Sequence, residues 1–367
     1  MRSSVRIAVS ALVAGAAVAY AAPAYASTVT QLPVSSTGFF GGFNDVTAVS
    51  ATDGWAVGGN GNGIVQRYNG TRWSSVTSPD LLTGGNTWAM LSGVDSVSSS
   101  SAFAVGRTTG SAGSAAVALR WNGSAWSRLT VSRPAGTNTS FTSVKAFSAN
   151  DAWAVGTTST SSVAATLAMH YNGSGWSGTP TPSPGTRNNW VTAVDGIAAN
   201  DVWAVGYSLN LPYGNRIRQS MILHWNGTAW SQPSSPNNGS TFLYDVAPVS
   251  RTDAWAVGSS SAGALVARWN GTTWSAVAAP SLSTLQSVAA RSSSDVWVAG
   301  ADAAGAPAVA HWNGSSWSVT SVTVTGGVGA PGLTAVAAAD ATTELAVGYQ
   351  ADGTTGQSAS IAFRVAG

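Results

Sequence analysis

The sequence predicts an all-β fold: a seven-bladed β-propeller of four-stranded blades, with the N-terminal strand completing the last blade. Three observations predict it. The phrase Trp-Ala-Val-Gly or a close variant occurs seven times. Six of these copies are followed by aromatic-Asn-Gly-x-x-Trp. The seventh copy stops one strand short, while a spare strand precedes the first.

The first phrase begins at Trp55, Phe103, Trp153, Trp203, Trp255, Trp297 and Leu345, at steps of 42 to 52 residues. It reads as strand b of each unit. Nine residues before each start stands a valine: Val46, Val94, Val144, Val194, Val246, Val288 and Val336. That valine lies in a short alternating run such as Val191-Thr192-Ala193-Val194, which reads as strand a. A polar turn such as Ser148-Ala149-Asn150-Asp151 joins the two. The second phrase surrounds Tyr68, Trp121, Tyr171, Trp225, Trp269 and Trp312. Asn-Gly tolerates positive φ, so it predicts a tight hairpin between strand c and strand d. Four short strands in every 40–50 residues, with no sustained helical spacing, is the arithmetic of a blade.

The ends of the repeat predict how the ring closes. Arg364-Val365-Ala366-Gly367 aligns with His-Trp-Asn-Gly of other units, so the last unit lacks strand d. The spare strand, Thr28 to Val34, has Pro33 placed as Pro79 and Pro280 follow other d strands. It is expected to pair with the last blade, which removes an open sheet edge. A solenoid would need polar capping repeats at its ends, and the sequence has none.

Tryptophan is the dominant packing residue, with 17 copies against 8% charged residues and no cysteine. Fifteen of the 17 fall at three repeat positions, in strand b, at the end of c and at the start of d. Large aromatics at fixed blade positions are expected to fill the wedge between radiating sheets, each burying roughly 200 Å². The lack of cysteine excludes disulfides, thiolate metal sites and cysteine nucleophiles.

Residues 1–26 read as a signal peptide and residues 27–367 as the propeller. Arg2 and Arg6 form a basic start, Ile7 to Ala22 an apolar stretch, and Ala24-Tyr25-Ala26 a small-x-small cleavage site. The expected location is therefore secreted and extracellular, without stable membrane insertion. Setting Arg2 and Arg6 aside, the 16 Lys and Arg fall to the number of Asp and Glu, 14. A neutral mature chain with a single lysine, Lys145, argues against nucleic acid as a partner. A monomer is the expected state.

At Val57-Gly58-Gly59, Tyr68-Asn69-Gly70 and Trp73 the unit resembles a Kelch repeat. In that family a Gly pair ends strand b, and a Tyr and a Trp bracket the c–d hairpin. Asn-Gly-x-x-Trp also resembles the Asp-box of sialidase-type propellers, with Asn for Asp and no leading Ser. The whole pattern, Asp-x-Trp-Ala-Val-Gly then His-Trp-Asn-Gly-x-x-Trp, is similar to repeats of secreted bacterial propeller proteins. The resemblance spans the mature chain and implies the fold. It implies little about activity, because propellers host lectins, lyases, hydrolases, oxidases and scaffolds. Galactose-oxidase-type copper chemistry needs a Tyr–Cys cofactor, which this chain cannot make. Sialidase chemistry needs an Arg cluster with a Glu partner, and the only Glu, Glu344, holds an ordinary repeat position before Leu345.

The repeat itself explains most residues that look catalytic. His170, His224 and His311 share one strand-c position with Arg67, Arg120, Arg268 and Arg364, so no metal site and no cofactor are expected there. Asp53, Asp151, Asp201, Asp253 and Asp295 stand two residues before a strand-b Trp and are expected to cap the a–b turn. The Asn-Gly-Thr and Asn-Gly-Ser triplets match a glycosylation sequon but are demanded by the hairpin.

Function is expected where units differ, in the d–a and b–c loops of one face. The longest b–c loop, Tyr207 to Gln219, carries Tyr207, Tyr213, Arg216 and Arg218. The loop before it carries Arg187 and Trp190, and Trp88 takes a similar place in the second blade. Phe39, Phe40 and Phe43 lie in the Gly-rich loop entering the first blade. Aromatics beside Arg and Asn suit saccharide stacking with hydroxyl hydrogen bonds, the alternative being that Trp88 and Trp190 plug the ring. Asp95, Lys145 and Asp195 follow the invariant Val on three successive blades, and Asp45 and Asp245 precede it. These are expected to line the central channel and form cross-blade ion pairs. The sequence thus predicts a binding module for a glycan or another extracellular partner, without catalytic residues. The alternatives are a polysaccharide lyase or hydrolase at the channel mouth, using Asp195 with Tyr207 or Tyr213, and a protein-interaction scaffold.

Overall fold

The computed structural model describes residues 27–35, 41–59, 61–132, 138–160, 163–210, 217–236, 239–325, 329–351 and 358–366. The expected leader, residues 1–26, lies outside them, as do Phe39, Phe40, Tyr213 and Arg216. The described residues form 28 strands and no helix.

Seven four-stranded groups follow one another along the chain. The first holds β2 (Phe43–Ser50), β3 (Asp53–Gly58), β4 (Ile64–Tyr68) and β5 (Trp73–Ser75), in that order across the sheet. The next five repeat this antiparallel meander. Their innermost strands are β6 (Asn86–Ser98), β10 (Asn138–Ser148), β14 (Asn188–Ala198), β18 (Thr241–Ser250) and β22 (Thr284–Ser292). The third and fourth groups are linked by a single parallel pairing, Ala164 with Asn188.

The last group runs β26 (Pro331–Ala338), β27 (Thr343–Ala351), β28 (Ser358–Ala366) and then β1 (Thr28–Gln31). β1 pairs antiparallel with β28, from Thr28 with Ala366 to Gln31 with Phe363. The spare strand therefore completes the last blade, as its place in the sequence predicts. It is shorter than the expected Thr28 to Val34, because the chain then crosses to the first blade. There Trp73 N donates to Pro33 O at 2.9 Å and Ser35 N to Trp73 O at 3.1 Å. The innermost strands contact each other in sequence, and β26 packs on both β22 and β2, which closes the ring.

The wedges between blades are aromatic. The strand-b aromatic of one blade inserts between the c and d aromatics of the next. Trp55 lies 4.9 Å from Trp121 and 5.0 Å from Trp126, centroid to centroid. Trp153 repeats this with Trp225 and Trp230, and Trp203 with Trp269 and Trp274. Phe103 does the same with Tyr171 and Trp176. At the closing interfaces Trp297 packs with Phe363 and Val365, and Leu345 with Tyr68 and Trp73. Ring pairs of this kind add to the burial of their area.

The Asn-Gly hairpins form as expected. Asn69 Oδ1 accepts from the backbone N–H of Thr71 and Arg72, and Gly70 adopts φ +92°. The aspartates before the strand-b tryptophans do not cap the a–b turn. Serines do that: Ser250 Oγ accepts from Thr252 N and Ser148 Oγ from Asn150 N. The aspartates reach across to strand c instead. Asp53 takes Arg67 in a two-pronged pair at 2.8 and 2.9 Å, and Asp201 Oδ1 lies 2.8 Å from His224 Nε2. Strand pairing sets the strand-c residue opposite the tryptophan, within reach of the aspartate two residues earlier, and its side-chain nitrogen takes the place of a turn amide.

Candidate functional site

Each blade has two ends. The start of strand a, the end of b and the start of c lie at one end, since Asn188 pairs with Leu209 and Leu209 with Arg218. This is the mouth face, where the variable loops sit. The a–b and c–d turns occupy the other end.

On the mouth face the strands run further than the sequence suggests. β15 (Asp201–Asn210) and β16 (Ile217–Trp225) extend the hairpin beyond Trp-Ala-Val-Gly, so Tyr207 and Arg218 stand on strands rather than in a loop. Trp190 stands on β14 and pairs in register with Tyr207. Continuous antiparallel pairing fixes these positions more firmly than a loop would.

The result is a row of rings crossing from the fourth blade to the fifth. Trp190 and Tyr207 lie 5.0 Å apart at 34°, Tyr207 meets the edge of Phe242 at 5.0 Å, and Phe242 stacks on Tyr244 at 6.0 Å and 18°. All four are half-buried. The Arg218 guanidinium sits 5.2 Å from the Phe242 ring centre. Burial pushes the Tyr207 hydroxyl above its ordinary value, and the Arg218 charge opposes that shift. Arg187 is exposed, just before β14.

Trp88 does not join this row. It lies in the second blade beneath Arg107, whose guanidinium is 5.0 Å from the indole centre. Trp88 is six residues before its invariant Val and Trp190 four, so the two are not equivalent. Phe242, Tyr244 and Arg107 escape a reading that looks only for tryptophans and long loops. Aligning on the invariant Val finds them: Phe242 holds the place of Trp190, and Arg107 that of Tyr207.

The second candidate region is the channel, a polar cavity of about 330 Å³ lined by Asp45, Asp95, Lys145, Asp195 and Asp245. Lys145 Nζ lies 2.8 Å from Asp195 and 3.7 Å from Asp95, so one lysine bridges three successive blades. Three of the carboxylates, Asp95 among them, also clasp the backbone of the next blade. Asp45 accepts from Val94 N, Asp95 from Ala146 N and Asp245 from Val288 N, each at 2.9 Å. Burial pushes the Asp45 carboxyl up to about 8 and Asp245 to about 6, and raises Asp195 against the pull of Lys145. Glu344 is fully buried at the other end, paired with Arg291, and burial pushes it to about 8. Among the described residues no group of three or more metal-ligating side chains is found.

No family description matches the chain, and no curated protein matches it. Solved structures of similar shape include YCF48 bound to D1 peptide, 16% identical with a TM-score of 0.58, covering 93% of this chain and 97% of that one. The WD40 β-propeller domain of Doa1 is 12% identical with a TM-score of 0.59, covering 91% and 97%. The SapL1 lectin in complex with alpha methyl fucoside is 14% identical with a TM-score of 0.50, covering 79% and 98%. At these identities the likeness is one of fold, and the chain is a β-propeller.

Proposed function

We propose that the protein is a secreted binding module that recognises a glycan on its mouth face, with export directed by residues 1–26. The observation behind this reading is the half-buried row Trp190, Tyr207, Phe242 and Tyr244 with Arg218 beside it. Aromatic faces stack on the C–H faces of sugar rings, while a guanidinium supplies directed donors. Propellers of similar shape take ligands of both classes: the SapL1 lectin is seen with alpha methyl fucoside, and YCF48 with D1 peptide. Half-exposed rings on rigid strands favour the saccharide.

The alternative of polysaccharide cleavage at the channel mouth gains less support. Asp195 is tied to Lys145, and Asp45, Asp95 and Asp245 are committed to backbone donors of neighbouring blades. A scaffold for proteins would use the same face without saccharide affinity.

A glycan array probed with the wild-type protein, Trp190→Ala and Tyr207→Ala tests the reading. Retention by the wild type and loss in both variants supports it. Retention unchanged in both variants, or product release from a polysaccharide panel abolished by Asp195→Asn, overturns it.

A further inference from the structure

The charge around the aromatic row carries the argument one step further, and this step rests on the mouth face being a saccharide site. Two of the other arginines over aromatics are neutralised, whereas Arg107 over Trp88 in the second blade has no ion pair among the described residues. Arg67 lies over Trp55 and Arg268 over Trp255, and each is held by an aspartate at 2.8 Å, Asp53 and Asp253. Arg218 lies over Phe242 in the same manner, but among the described residues it has no ion-pair partner. It is exposed, and its charge reaches the Tyr207 hydroxyl.

Acids near this end of the fourth and fifth blades are occupied. Asp195 belongs to Lys145, and Asp245 accepts from Ser287 Oγ at 2.8 Å and Val288 N at 2.9 Å. The described acids in mouth-face loops, Asp80 and Asp302, belong to other blades and cap their own loops. Arg218 is therefore a guanidinium already oriented by a ring, with its forked donors left for an anion from outside. Arg187, exposed at the start of the same blade edge, adds positive charge of the same sign.

We propose that the ligand is an anionic saccharide whose carboxylate or sulfate is held by Arg218 while its ring stacks on the Trp190–Tyr207 pair. The rings supply affinity shared by any sugar of the right shape. The guanidinium supplies the selection, because a neutral saccharide leaves its charge unanswered.

The test is calorimetry of the full chain with three probes: oligogalacturonate, a sulfated galacto-oligosaccharide and the neutral galacto-oligosaccharide. Both anionic probes, or one of them, should bind about tenfold or more tighter than the neutral one at low salt, with the gap narrowing at high salt. Preference for one probe identifies the anionic group. Arg218→Gln should weaken the anionic probes about tenfold and the neutral one clearly less, so that the gap between them narrows, with an unaltered melting curve. Trp190→Ala should weaken all saccharides. Equal affinity for neutral and anionic probes, or no effect of Arg218→Gln, overturns this proposal and leaves the glycan reading standing. Binding of an acidic peptide with no affinity for any of the three saccharides overturns both.

Discussion

The imidazole of His224 lies face to face with the indole of Trp203, 4.1 Å between ring centres and 27° from parallel. Asp201 Oδ1 holds the edge of the imidazole, 2.8 Å from Nε2. This arrangement of aspartate, strand-c side chain and indole recurs in five blades, with His170 and His311, or Arg67 and Arg268, as the middle member. In the second and seventh blades both ends of it are missing together: Ser101 stands with Phe103, and Thr343 with Leu345. The aspartate thus goes with the indole. It orients the ring or guanidinium that covers it.

Removing Asp201 should cost stability without touching the core. Asp201→Ala leaves His224 without its partner, and the expected loss is about 1–3 kcal/mol, read by chemical denaturation. The matching change of Ser101 to Ala should fall within about 0.5 kcal/mol, since no stack depends on it.

The indoles themselves should tolerate phenylalanine better than alanine. Trp255 is wedged near Trp312 and Trp317, and its Nε1 has no hydrogen-bond partner among the described residues. Trp255→Ala is expected to cost about 3–5 kcal/mol. Trp255→Phe should cost clearly less, because no hydrogen bond is lost and Phe103 fills the same place in its own blade. Equal losses in denaturant melts would contradict this account of the wedge.

Much of this was legible in the sequence, for a physical reason. A blade cannot bury its faces alone, so the same residues must return at the same places, and Trp55, Val46 and Asn69 reveal strands, register and turn. The partner of Asp201 was harder to see. Two residues before a strand, an aspartate looks like a turn cap, and only pairing with strand c brings His224 beside it. The joint absence of Asp and Trp in two blades was the signal available. The mouth face was half legible: Trp190, Tyr207 and Arg218 were found, but as loop residues, while Phe242 and Tyr244 were hidden in an ordinary strand.

Lys145 should be the most sensitive charge in the channel. Lys145→Met strands Asp95 and Asp195 near each other, and the expected cost is about 1–3 kcal/mol, reduced from a fully buried pair because the channel is open to water. Adding Asp195→Asn should recover part of it. If thermal melts show no recovery, the lysine acts through packing rather than charge.

The raised channel carboxyls set the sign of one pH effect. Folded Asp45 holds its proton up to about 8, whereas the unfolded chain releases it near the ordinary carboxylate value. The folded form therefore binds more protons across that interval, and the stability from this group falls as pH rises from about 4 to about 8. Asp245 acts in the same direction up to about 6. Asp45→Asn should flatten the decline between pH 5 and 9, roughly, in melts across that range. A steeper decline in the variant would reverse the assignment.

The pairing of Thr28 with Ala366 brings the first and last described strands to one point on the outer rim, at the turn end of the seventh blade. That point lies at the end of the blades opposite the aromatic row. Attachment beside Thr28 or Ala366 and recognition at Trp190 would therefore use opposite faces of one ring.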